Sequence, residues 1–250
     1  MKESLSVTVV KSFAELEELK HTWDRLAAAR PREEIFHTFA WARAWWQAYS
    51  TKYEVYTPVV RNSDNEVVAI WPLVRCGSEL RALGHGASDQ NDLLTAPEIA
   101  NVAFEAAMEH LANHRGDWET ACISNISGRG LLLEAANSLA RNLKKRIEIV
   151  SNGVGRAICV QDNPREFLRL ACADSLETHR KQLEKLGSVT FRHLEDRGDF
   201  SRHLSLLQHQ HIQRFALKGE ISHFLDPISK AHYELMPDFL SIQEIGRAHV

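Results

Sequence analysis

Short apolar or β-branched runs alternate along this chain with longer stretches whose apolar residues recur every three to four positions. That alternation restricts the fold to layered α/β or α+β arrangements. LSVTVV (5–10) reads as a strand. SFAELEELKHTWDRLAAA follows it, with Ser12 and Glu15 at capping-box spacing and Phe13, Leu16, Leu19, Trp23 and Leu26 on one helical stripe, until Pro31 closes the region. HTFAWARAWWQAY reads as a second helix, with Trp41, Trp45 and Tyr49 at i, i+4 and i+8. Its aromatic residues suit a packed face better than an open sugar-stacking platform.

YEVYTPVV (53–60) and EVVAIWPLV (66–74) flank the polar cluster RNSDN and predict a hairpin, with ELRALG (79–84) as a third strand. APEIANVAFEAAMEHLANH (96–114) and GLLLEAANSLARNL (130–143) predict helices, WETACISNI (118–126) a strand, and IEIV and RAICV short strands around SNGVG. NPREFLRLAC and DSLETHRKQLEKLG predict further helices, the latter closed by Gly187. SVTFRHL (188–194) predicts a strand, and DFSRHLSLLQHQHIQRFALKG and DPISKAHYELMPDFLSI predict two helices joined by EISHFL. A domain boundary is expected near 150–160.

Composition narrows the function classes. A net charge of −3 gives no global attraction to nucleic acid or an anionic membrane. No run of about 18 apolar residues is present, so no membrane span is expected. Cys76, Cys122, Cys159 and Cys172 are widely spaced, with no CxxC, and are expected to be small buried hydrophobes of a cytoplasmic protein. His110 and His114 stand at i, i+4, but without the Glu of HExxH or a third ligand, so no metal is expected. His209 and His211 point to different helix faces. NGVGRA and SGRG read as turns, being neither a dinucleotide fingerprint nor a P-loop.

Two stretches carry candidate chemistry. GHGASDQND gathers His85, Ser88, Asp89, Asn91 and Asp92 directly after an apolar strand. Asp89 and Asp92 suit orientation of an amine or hydroxyl acceptor, and His85 suits a base; an Asx-rich turn is the alternative. THRKQLEK sets His179, Arg180, Lys181 and Lys185 on one short helix, either a solvated face or a contact to a phosphate-bearing donor or RNA. Arg214, Lys218 and Glu220 flank a later helix end in the same way.

Several of these stretches, taken in order, carry a family resemblance: Trp23 to Leu26, FHTFAWARAWWQAY, AIWPLV, LGHGASDQNDLL, SLETHRKQLEKLGSVTFR and HIQRFALKGEISHFLDP. Together they resemble the GNAT-superfamily acyltransferases of the CelD/BioF2-like type, related to the FemABX peptidyltransferases, over about residues 5 to 240. The firmest match is the pattern K-x-x-R-R-x-x-L-E-x-x-G-x-V-x-F. It reads THRKQLEKLGSVTF here, matching from Leu183 and Glu184 through Gly187 and Val189 to Phe191.

The resemblance implies tandem GNAT-like domains with mixed, mostly antiparallel sheets flanked by helices, the first over 1–150 and the second opening over 151–243. It implies transfer of an acyl group from acyl-CoA, such as acetyl-CoA, to an amine or hydroxyl on a small-molecule or saccharide acceptor. No metal, membrane span or nucleic acid is implied. Arg180 and Arg214 are the candidate contacts to the donor phosphates. A FemABX-like transferase using aminoacyl-tRNA and a non-catalytic acceptor- or partner-binding scaffold are the alternatives.

The family's donor turn, Q/R-x-x-G-x-G/A, does not begin anywhere between residues 188 and 242. The closing EIGRAHV carries no cap or turn chemistry, and a common short-read sequencing adapter encodes it as GAG ATC GGA AGA GCA CAC GTC. Native sequence is therefore expected to stop near Gln243, with 244–250 a non-native tail, the second domain incomplete and this form inactive.

Overall fold

The computed structural model describes residues 4–30, 34–142, 147–151, 153, 164–172, 174–192, 194 and 196–240. They form a mixed α/β protein with two four-stranded, mostly antiparallel sheets flanked by helices. The first sheet has the order β1 (Ser6–Val10), β3 (Thr57–Arg61), β4 (Val67–Ile70), β7 (Leu94–Thr95). The second has the order β2 (Glu54–Val55), β5 (Leu73–Cys76), β6 (Glu79–Ala82), β8 (Thr120–Ala121), with only β6 and β8 parallel.

The expected hairpin forms, but each arm serves both sheets. One arm divides into β2 and β3 at Tyr56, and the other into β4 and β5 at Trp71 and Pro72. Proline has no N–H for the ladder, so the regular pairing lapses at Pro72. The arms stay joined across the break: Tyr56 N–H donates to the Leu73 carbonyl at 3.1 Å, and Trp71 N–H to the Pro58 carbonyl at 3.0 Å. At the tip, Asn62 Oδ1 accepts the N–H groups of Asp64 and Glu66, and Asn65 takes a left-handed φ of 63°.

The strands are covered on both faces. Val60, Ala69 and Leu73 pack with α4 (Ala100–Asn113) and α5 (Leu131–Asn142) through Phe104, Ala107, Leu111, Leu132 and Leu139. Their neighbours Val59, Ile70 and Val74 pack with α1 (Phe13–Glu18), α2 (Lys20–Ala28) and α3 (Phe39–Tyr49) through Leu16, Trp23, Leu26, Phe39 and Trp45. The period-two alternation of a strand places these neighbours on opposite faces. The capping box at Ser12 and Glu15 is present. The single helix expected after it divides at Leu19 (φ −87°, ψ 1°) into α1 and α2.

The remaining helices are α6 (Pro164–Ala171), α7 (Asp174–Glu184), α8 (Arg197–Leu217) and α9 (Pro227–Phe239). The chain divides into two compact units: residues 150–194, which hold α6 and α7, and the rest. The span expected of a second domain, 151–243, is divided between the two units. Both α8 and α9 belong with the first 149 residues, because α9 packs on α3 through Trp41, Met236 and Leu240. α8 buries Leu204 but leaves Leu206, Leu207 and Leu217 exposed.

No strand forms at the described residues of IEIV or of SVTFRHL, where Phe191 is 96% exposed. RAICV and 241–250 lie outside the described residues. Cys76, Cys122 and Cys172 are free thiols and exposed rather than buried, because they sit at strand and helix ends. Among the described residues, no helix is long and apolar enough to cross a membrane.

Candidate functional site

The segment after β6 is held by the aromatic helix. Trp41 donates its indole N–H to Ser88 Oγ at 2.8 Å, and Trp45 donates to the His85 carbonyl at 3.2 Å. Both indoles are buried, which suits side chains that need apolar surroundings and one hydrogen-bond partner. Gly84 begins the turn with φ +113°, and its carbonyl accepts the N–H groups of Ala87 and Ser88. Asn91 donates to the Ser124 carbonyl at 2.9 Å, and Asn125 to the Ser88 carbonyl at 2.9 Å. The Asx-rich stretch is thus pinned at both ends.

Asp92, expected to orient an acceptor, is built into the interior instead. Its carboxylate accepts the N–H groups of Leu131 at 3.0 Å and Leu132 at 2.6 Å, so it caps α5 from a distant loop. It also accepts the Leu93 N–H at 2.8 Å and pairs with Arg30, and both charged side chains are buried. The void beside it encloses only ≈ 10 Å³, too small for a substrate. Its acceptor capacity is spent on the fold, which corrects its assignment to the site.

Arg30 also donates to His37 Nδ1. A guanidinium can only donate, so Nδ1 accepts and the His37 proton sits on Nε2. Burial first, and Arg30 second, push the His37 pKa down to about 3, so this imidazole is neutral.

Asp89 is exposed and lines a cleft of ≈ 190 Å³ with Tyr49, Gly86, Ala87, His223, Ser229 and Tyr233. Three elements supply these walls: α3, the pinned loop, and the segment running from the turn His223–Leu225 into α9. Asp226 is the N-cap of α9, and its Oδ2 accepts the Ser229 N–H at 3.0 Å and the Ser229 hydroxyl at 2.8 Å. The Tyr49 hydroxyl lies 3.1 Å from Ser229 Oγ. Burial pushes the Tyr233 pKa up to about 12, with Asp89 and then Tyr49 adding to it. Burial also raises that of Tyr49. Both phenols therefore keep their protons at neutral pH. The side chains lining the cleft include one carboxylate and no Lys or Arg.

His85, expected as a base, does not line this cleft. Burial first, and Arg81 second, lower its pKa. Arg180 lies on α7 in the other unit, paired with Glu177 and Glu184 on its own helix at 2.8 and 2.6 Å. Arg214 lies over the Phe215 ring at the end of α8 and does not line the cleft. Tyr49, His223, Ser229 and Tyr233 were not anticipated as site residues. The spacing of Asp226, Ser229 and Tyr233 marks one face of a capped helix and is the only local signal for them.

Among the described residues, no three His, Cys, Asp or Glu side chains group to hold a metal. No family model matches the chain, and neither a curated protein nor a solved structure resembles it significantly.

Proposed function

We propose that the Asp89 cleft binds an amine- or hydroxyl-bearing small molecule or saccharide, as the acceptor site of an acyl transfer. The observation that carries this reading is the meeting of Asp89, Tyr49, Ser229, Tyr233 and His223 at one cleft without a lining cation. A carboxylate, an imidazole and hydroxyls in one concavity suit a ligand that donates hydrogen bonds and gives up a proton. The order of sequence motifs shared with the CelD/BioF2-like acyltransferases supports acyl-CoA as the donor, with the protein working in the cytoplasm.

The residues at this cleft do not fit the donor itself. A pyrophosphate calls for cationic side chains or an open helix N-terminus; the cleft is lined by neither Lys nor Arg, and the α9 N-terminus in its wall is already capped by the Asp226 carboxylate. Arg180, the other expected donor contact, is engaged with Glu177 and Glu184. The same observation favours a second reading, in which the protein binds its acceptor without catalysis.

Thermal denaturation with acetyl-CoA and with D-glucosamine separates these readings, because a ligand that binds the native state raises its melting temperature. Stabilisation by both supports the transferase. Stabilisation by glucosamine alone supports the scaffold. Tight, salt-sensitive binding of aminoacyl-tRNA would move the assignment to a FemABX-like reaction.

A further inference from the structure

We infer that Asp226, acting through Ser229, fixes the Tyr49 hydroxyl as a hydrogen-bond acceptor towards the cleft, so that this wall favours ligands that donate over carboxylates. The ligand class rests on the acceptor reading above; the polarity does not.

The argument follows one proton at a time. Asp226 Oδ2 can only accept, so the Ser229 hydroxyl 2.8 Å away must donate to it. A serine hydroxyl has one proton. Towards Tyr49, 3.1 Å away, Ser229 Oγ therefore offers only a lone pair, and the Tyr49 O–H must donate to Ser229. The tyrosine's single proton is then committed, and what its oxygen offers a ligand is a lone pair. Asp89 across the cleft is likewise an acceptor. The hydrogen bonds from Ser229 hold the Asp226 carboxyl below the usual carboxylate range, so it stays ionised and the polarity holds at neutral pH.

Asp226→Gly tests this, because it removes the one oxygen that takes both the Ser229 N–H and the Ser229 hydroxyl, and glycine is tolerated at a helix N-cap. Ser229 is then free to donate to Tyr49, which turns the Tyr49 proton into the cleft. The probes are D-glucosamine and D-glucuronate, which share a hexose frame but differ in an ammonium and a carboxylate. Wild type is expected to prefer glucosamine. Asp226→Gly is expected to weaken glucosamine about tenfold while tightening glucuronate, since one hydrogen bond changes sign. Ser229→Ala, which leaves Tyr49 without its acceptor, is expected to move both probes in the same directions.

A purely structural role would weaken both sugars alike, and that result overturns the inference, as does a wild-type preference for glucuronate. If neither sugar binds, the Tyr49 titration followed by ¹³C NMR decides. A fall in its pKa in Ser229→Ala, where the phenol loses the acceptor that holds its proton while the Asp226 charge stays, keeps the polarity and discards the acceptor reading. An unchanged or raised Tyr49 pKa overturns the polarity itself.

Discussion

Asp92 accepts the backbone N–H of Leu132 at 2.6 Å, capping a helix that starts 39 residues further along the chain. The same carboxylate neutralises Arg30 in the interior. Asp92→Asn should therefore destabilise the protein by about 3–5 kcal/mol, because a buried guanidinium loses its counter-charge. Asp89→Asn, at an exposed position, should stay within about 0.5 kcal/mol of wild type. Urea unfolding of the two variants checks both. Equal stabilities would refute the interior role of Asp92.

Gly84 and Ser88 should be coupled in a double-mutant cycle. A Cβ on Gly84 would overlap Ser88 Oγ and come to 3.1 Å from Ser88 Cβ, in a residue whose φ of +113° already disfavours a side chain. Ser88 cannot simply move aside, because its hydroxyl accepts the buried Trp41 indole. Gly84→Ala should cost about 2–4 kcal/mol alone. In a Ser88→Ala background it should cost at least about 1 kcal/mol less, since the overlapping oxygen is gone. Strict additivity in chemical denaturation would count against this geometry.

The layers were legible in the sequence because local signals set them. The Ser12 and Glu15 cap, the turn at Asn62 and the stripe of α4 each need only neighbours along the chain. What each segment meets was not legible. SVTFRHL has strand propensity but no ladder partner among the described residues, and propensity without pairing does not make a strand. The α5 cap was hidden because its own preceding residues, Arg129 and Gly130, offer no capping oxygen in their side chains, and the one used comes from Asp92. The cleft was half legible: GHGASDQND marked Asp89, but Tyr49 and Ser229 are 180 positions apart. Only the docking of α9 on α3 joins them.

His37 should make stability fall in mild acid. Its folded pKa is pushed down to about 3 from the ordinary 6.5, so between those values the unfolded chain binds a proton that the native state refuses. Stability is therefore full above pH 6.5 and declines as pH drops towards 3. At pH 5 the loss from this group is about 2 kcal/mol, from a cost of about 1.4 kcal/mol per unit. Other groups titrate in the same window, so the comparison is with His37→Gln. That variant is less stable at pH 7, but its stability should fall less between pH 7 and pH 5. Parallel pH profiles for the two proteins would refute a buried neutral His37.

Asp89 and Tyr233 give a prediction on the cleft that needs no knowledge of its ligand. The Tyr233 phenol is pushed up to about 12 by burial first and by the charge of Asp89 second. Removing that charge in Asp89→Asn favours the tyrosinate, so the Tyr233 pKa should fall, though not to the ordinary 10, since burial remains. A ¹³C NMR titration of Tyr233 reads this directly. The same substitution should weaken glucosamine binding about tenfold if the carboxylate holds the ammonium group. A lowered Tyr233 pKa with unchanged glucosamine affinity would mean that the two side chains share the cleft as described but the sugar binds elsewhere. An unchanged Tyr233 pKa would remove Asp89 from the cleft, and the proposed acceptor site with it.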